Sequence, residues 1–364
     1  MNRIIVIILG CLLTQNMVFA QTPTFHNDKN WQLKLEDNFD TLNTNVWDVR
    51  DNFDHGGGST VHIASNVYLN NGTLVLRAKR EYGHSYCCPS FYLNQYFCKK
   101  QLETGNCYKY TGAWIETKPA YNTKYGYAEA KIKMTYRAGV GYAFWTVIGI
   151  NLSQASNAAE IDILETMVPR MKQAKNTIAT NVHTCYNTIN PGCERPFGEN
   201  HSLPNFNYED WHIYSVDWDA DKITWYVDGS IIRTIQNRNL DNFGNSIVDP
   251  VKIILGSHAN PDRILDNSSF EEYMYVDYVK VYQLKYDCNT VVNEIPNFNA
   301  YCYTVKKSIS LSGATTIPPN SNISLRATDF IELKPGFEVP LGAELYLGVN
   351  PCSGPNYNCP PSPY

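Results

Sequence analysis

The sequence predicts an all-β protein: an antiparallel sandwich over most of its length, followed by a small β module. Three observations carry that reading. Helical periodicity is nearly absent, short alternating or apolar runs recur between Gly, Asn, Asp and Pro, and the composition changes after Tyr286. A chain of 364 residues fits one large β domain plus a small one.

The N-terminal stretch "MNRIIVIILGCLLTQNMVFAQ" has one Arg, an apolar run from Ile4 to Leu13 and small residues before a cut after Ala20. About ten apolar residues are too few to span a bilayer, so residues 1–20 read as a secretory signal peptide. A lipoprotein reading at Cys11, in "ILGC", is the alternative. The expected location is secreted, cell-surface or periplasmic, with no membrane span.

The body, residues 21–286, carries "GTLVLRAKR", "GYAEAKIKMTY", "WHIYSVDW", "KITWYVDGSIIRTI" and "YMYVDYVKVYQ" as successive strand runs. Within the fourth, Asp228-Gly229 between two β-rich halves signals a hairpin. Residues 83–110 have four cysteines and no strand pattern, which suggests a disulfide-pinned insertion. It reads equally as a stapled loop or as a cover over a cleft. Residues 287–364 show short β-rich runs with regular Gly and Pro, a small stacked-strand module.

Without Cys11, ten cysteines remain in a chain bound for an oxidising compartment. Six lie in the body (Cys87, Cys88, Cys98, Cys107, Cys185, Cys193) and four near the end (Cys288, Cys302, Cys352, Cys359). Both counts are even and paired CxxC units are lacking, so disulfides are favoured over zinc, with connectivity left open. A net charge of -5 offers no basic stripe for phosphates, which excludes nucleic acid as a partner. The 26 Tyr suit both sandwich cores and sugar-binding clefts.

Chemistry concentrates in "AAEIDILETM", residues 158–167. On a strand, Glu160 and Asp162 share one face while Ile161 and Ile163 point behind it. Strict alternation sends Glu165 to the wrong side; one bulge around Ile163-Leu164 brings it back. Two glutamates flanking a shorter aspartate suit retaining glycoside hydrolysis, which needs a nucleophile and a proton donor about 5–5.5 Å apart. Crowded negative charge raises the pKa of the group that must stay protonated. An exposed acidic face or a calcium site is the competing account.

The chain resembles glycoside hydrolase family 16, in particular its laminarinase-like branch with a bulged ExDxxE motif. The resemblance runs from "LKLEDNFD" through "NNGTLVLRAKRE", "YTGAWIETK", "KYGYAEAKIKM", "AFWTV", "AEIDILE" and "WHIYSVDWDADKITWYVDG" to "MYVDYVKVYQ", about 250 residues in family order. It implies a β-jelly-roll sandwich that binds a polysaccharide, with Glu160 as nucleophile, Glu165 as general acid/base and Asp162 assisting. It further implies substrate contacts from Trp145 in "AFWTV" and His183 in "NVHTCY"; Trp114 in "YTGAWIETK" and Tyr142 just before "AFW" are added as candidate substrate contacts. No cofactor is required; some members hold a structural Ca²⁺ near the positions matching Asp37 and Asp277. "FIELKPGFEVPLGAEL" resembles a coathanger-like repeat at the ends of secreted Bacteroidetes proteins.

Where laminarinases carry Trp-Pro pairs, this chain has Gly141-Tyr142 and "QASNAA". The leading expectation is a monomeric, secreted, endo-acting retaining β-glycanase acting on β-1,3- or mixed β-1,3/1,4-glucan. Loss of two stacking tryptophans keeps a galactan substrate, of agarase, porphyranase or carrageenase type, as the alternative. Transglycosylation instead of hydrolysis, and a non-catalytic carbohydrate-binding protein, are the remaining rivals.

Overall fold

The computed structural model describes residues 30–53, 60–80, 110–149, 159–166, 174–184, 198–237, 249–260, 264, 269–352, 354 and 356–357. The signal peptide, all six body cysteines and almost all of the cysteine-rich insertion lie outside these residues.

In chain order the strands of the body are β1 (Trp31–Asp37), β2 (Trp47–Val49), β3 (Val61–His62), β4 (Val67–Asn70), β5 (Thr73–Arg80), β6 (Tyr110–Thr117), β7 (Gly126–Met134), β8 (Val140–Ile148), β9 (Glu160–Glu165), β10 (Thr177–His183), β11 (Glu199–Ser202), β12 (His212–Trp218), β13 (Lys222–Val227), β14 (Ser230–Gln236), β15 (Val251–Ala259) and β16 (Glu271–Leu284). Then come β17 (Val291–Val292), β18 (Lys306–Leu311), β19 (Asn322–Leu333) and β20 (Glu344–Val349). Two short 3-10 turns, Ala64–Asn66 and Pro119–Tyr121, are the other regular elements among the described residues.

Hydrogen bonding runs β11-β10-β9-β8-β15-β6-β5-β16-β7-β12-β13-β14. The ribbon folds over at β5–β6, where only Lys79 opposite Thr111 and Arg80 opposite Tyr110 are paired. One layer therefore holds β11, β10, β9, β8, β15 and β6; the other holds β5, β16, β7, β12, β13 and β14. Every ladder linking consecutive strands on this path is antiparallel, which makes the body the jelly-roll sandwich expected from the sequence.

Alternation decides what fills the space between the layers. Leu74, Leu76 and Ala78 of β5, Ala128, Ala130 and Ile132 of β7, Tyr214 and Val216 of β12 and Phe144 of β8 meet in one buried core. The hairpin predicted at Asp228-Gly229 is present. Val227 pairs with Ser230, and φ is +49° at Asp228 and +78° at Gly229, the left-handed pair a two-residue turn requires.

The last four strands form a separate sheet in the order β17-β18-β19-β20, all parallel. Cys288 and Cys352 are joined across it, and Cys302 is also disulfide-bonded. This sheet docks on the body. Trp31, Tyr127 and Leu284 pack with Tyr286 and Val305, and Arg326 reaches Asp219 at 3.2 Å with both side chains buried. No helix among the described residues is long and apolar enough to cross a membrane.

Candidate active site

The acidic segment forms β9, and its two neighbours fix where it bulges. Against β8, Leu164 faces Phe144 while Asp162 faces Trp145, so Ile163 is the residue with no counterpart. Against β10, Glu165 faces Ala179 and Asp162 faces Asn181, so two intervening residues of β9, Ile163 and Leu164, stand against one of β10, Thr180. The bulge predicted around Ile163-Leu164 is thus present, and it restores Glu165 to the face of Glu160 and Asp162. Ile161, Ile163 and Leu164 all enter the inter-layer core.

That bulge disturbs the ladder, and the opposite layer compensates. The indole N–H of Trp225, fully buried on β13, donates to the Asp162 carbonyl oxygen at 2.9 Å. Arg233 of β14 donates through Nη1 to the Thr180 carbonyl at 3.1 Å and to its hydroxyl at 3.0 Å. Thr180 is the β10 residue facing the bulge. Arg233 also lies over the Trp225 ring, 4.9 Å from its centroid. Two polar side chains crossing the core thus satisfy backbone groups that an uninterrupted ladder would have paired.

On the face away from the core, hereafter the cleft face, Glu160 lies opposite His183 of β10, Asp162 opposite Asn181, and Glu165 opposite Ala179. The His183 Nε2 is 3.6 Å from Glu160 Oε1 and 3.5 Å from Asp162 Oδ2, and it shares a 2.9 Å hydrogen bond with the Asn181 side-chain nitrogen. Glu160, Asp162 and His183 form the one cluster of three or more metal-ligating side chains found among the described residues, so the site's donors are carboxylate and imidazole only. Glu160 and Asp162 are buried, Glu165 half-buried. Burial, and then the negative charge of Asp162, push the Glu165 carboxyl well above the usual carboxylate range. Glu165 thus keeps its proton where an ordinary glutamate has lost it, as a general acid must.

The other predicted residues divide. Trp145 lies opposite Asp162, and Trp114 meets it edge-on with ring centroids 5.3 Å apart. Both belong to a cleft-face aromatic group distinct from the core. Each is about 5% exposed, so they form the floor beneath the cleft rather than freely standing platforms. Tyr142 is a correction. One alternation away from Ala143, its side chain lies in the inter-layer core at 1% exposure, with its hydroxyl hydrogen-bonded to Thr135 at 3.0 Å, and it cannot touch substrate. At the two positions named for calcium, Asp37 accepts from the Phe39 amide and the Trp47 indole, and Asp277 pairs with Lys131 at 2.8 Å.

Trp225, Arg233 and Asn181 were not marked by the sequence reading. The run "KITWYVDGSIIRTI" signalled the hairpin, but nothing local shows which buried residue will reach a bulge more than 60 positions away.

A sandwich with a bulge-aimed carboxylate triad on an open sheet face is the arrangement of a carbohydrate-active enzyme class. The chain matches the family model "Glycosyl hydrolases family 16" over residues 59–280, and it belongs to that family. It is 25% identical over 295 residues to the glucan endo-1,3-beta-glucosidase A1 of Niallia circulans, which covers 74% of this chain and 40% of that protein. It is 29% identical over 229 residues to the kappa-carrageenase of Pseudoalteromonas carrageenovora, covering 58% of this chain and 53% of that one. Among solved structures, the catalytic domain of an endo-1,3-beta-glucanase from Thermotoga petrophila RKU-1 shares the fold, with TM-score 0.54, 24% identity, and coverage of 70% of this chain and 98% of that one. The chain spans about two fifths of the length of the first curated relatives it matches.

Proposed function

We propose that this chain is a secreted, endo-acting, retaining β-glycanase. The observation that carries the reading is the bulge, which brings Glu160 and Glu165 to one face, where burial and the charge of Asp162 raise the Glu165 carboxyl. Glu160 attacks the anomeric carbon while Glu165 protonates the departing glycosidic oxygen. Water, deprotonated by Glu165, then releases the glycosyl group from Glu160. His183, 3.6 Å from Glu160 and 3.5 Å from Asp162, stands between the two carboxyl groups and orients the nucleophile. Secretion rests on residues 1–20 and on the disulfides of the C-terminal sheet, whose stacked parallel strands suit an accessory module.

The substrate is a β-linked polysaccharide. The two curated relatives above are named for a glucan and for carrageenan, so glucan and galactan both belong in the test. The experiment is reducing-end release from laminarin, lichenan, agarose, porphyran and carrageenan, with Glu160→Gln beside the wild type. Expected is release from at least one polymer and a loss of about 10⁴-fold or more in the variant. Normal turnover by Glu160→Gln would overturn the assignment.

A further inference from the structure

Three lone-pair atoms converge on the cleft face. Glu160 Oε1 lies 3.6 Å and Asp162 Oδ2 3.5 Å from His183 Nε2, and one ligand atom from each residue lies within 4.8 Å of the other two. No N–H of the imidazole serves the carboxyl groups from Nε2. The Val182 amide donates to Asn181 Oδ1 at 2.9 Å, which fixes the side-chain amide and turns its nitrogen toward His183. That nitrogen can only donate, and it stands 2.9 Å from Nε2, so Nε2 is the acceptor.

Asp162 shows the consequence. It is 3% exposed, and its Oδ2, aimed at the His183 ring, is a buried oxygen with no hydrogen-bond partner. Buried carboxylate oxygens are normally matched by a donor or a cation. The neighbouring groups offer this one two more lone pairs instead.

The spacing suits a metal ion. Ligands about 2.0–2.1 Å from one tetrahedral ion stand roughly 3.3–3.5 Å apart, close to the two carboxylate-to-imidazole distances. The three side chains stand on paired strands. Glu160 and Asp162 are two apart on β9, and His183 faces Glu160 from β10. The Trp225 indole braces the Asp162 backbone from behind. An ion has a way in, because the His183 side chain is 21% exposed. Two other histidine contacts, His201 with Glu199 and His212 with Asp228, each bring a single carboxylate. An imidazole beside two carboxylates favours zinc, copper or nickel over calcium and magnesium, which take six or more oxygen ligands.

We infer that Glu160, Asp162 and His183 bind one divalent transition-metal ion of the zinc type, and that this ion excludes the sugar from Glu160. Ion binding stands apart from the β-glycanase reading; the resulting inhibition rests on it. The ion ligates the carboxylate that attacks the anomeric carbon, so metal and glycoside compete for one group. It also takes the Nε2 lone pair from the Asn181 N–H, a hydrogen bond of modest net strength.

The test strips the full chain with a chelator and titrates it with Zn²⁺ by equilibrium dialysis. Wild type is expected to bind an ion that His183→Ala and Asp162→Asn each weaken by about 100-fold or more, since even an outer-shell partner is worth about 10–100-fold. Calcium and magnesium do not displace it. Co²⁺ gives visible absorption bands in wild type that both variants lose. Zn²⁺ raises the melting temperature of wild type but not of the variants, whose metal-free circular dichroism shows whether they are folded. On the polymer that wild type cleaves, Zn²⁺ raises the apparent KM with kcat unchanged, and chelator restores the rate. No ion bound at millimolar Zn²⁺, or equal binding in wild type and both folded variants, overturns the inference. Zinc held by these residues with cleavage unaffected overturns the exclusion of sugar and leaves the β-glycanase reading standing. Absence of Glu160-dependent release from every polymer overturns that reading, while dialysis still decides the metal site.

Discussion

Replacing Trp225 with Phe removes one donor from beneath the catalytic bulge while keeping an aromatic ring in the core. The indole N–H is the side-chain donor that meets the Asp162 carbonyl from the opposite layer, at 2.9 Å, and Trp225 is fully buried. Leaving a buried carbonyl without its partner costs about 1–3 kcal/mol. The smaller ring adds a cavity term of about 1 kcal/mol, so a loss of roughly 2–4 kcal/mol is expected. The functional effect should exceed this structural one. Asp162 sits between Glu160 and Glu165, and a shift of about 1 Å in reacting groups costs on the order of 100-fold in rate. Urea denaturation gives the stability change, and initial rates at saturating polysaccharide give kcat. The expected result is a fall in kcat of tenfold or more at temperatures where the variant remains folded. A variant that loses the stability but keeps wild-type kcat would refute the reasoning, because the Trp225 bond would then hold the sandwich together without aiming the acids.

Two further predictions follow from charge. Glu165 has a folded-state pKa raised by burial and by Asp162, so the folded form binds its proton more tightly than the unfolded chain. Its contribution is therefore fully present below the ordinary glutamate range and is lost as pH rises through the raised value. Glu165→Gln should gain stability relative to wild type as pH rises above the ordinary glutamate range, seen in denaturation midpoints, and the wild-type activity should fall along its alkaline limb there. Equal pH slopes in both proteins would contradict this. The Arg326–Asp219 pair, at 3.2 Å with both side chains under 5% exposed, joins the C-terminal sheet to the β12–β13 turn. Arg326→Met leaves Asp219 buried and unpaired, a loss of about 3–5 kcal/mol, and adding Asp219→Asn should return part of it. Thermal melts of the single and double variants check both; an additive double variant would mean the two groups do not interact.

The sequence alone determined the features that depend on local pattern. Alternation in "GYAEAKIKMTY" and "YMYVDYVKVYQ" marks β7 and β16 because a pleated strand has a period of two, and Asp228-Gly229 marks the hairpin because both residues tolerate positive φ. The bulge in β9 was legible for the same reason: three acids cannot share one face of six alternating residues unless one residue is extra. Tertiary structure decided what crosses between layers. Tyr142 and Trp145 stand three residues apart in one strand, so alternation sends them to opposite faces, but only packing decided that Tyr142 takes the core and Trp145 the cleft floor. Trp225 and Arg233 act through partners 63 and 53 positions away on other strands, and no local signal encodes such a meeting. The chain can specify a strand by its own alternation, but which backbone carbonyl or carboxylate a side chain reaches is fixed only when the sheets pack.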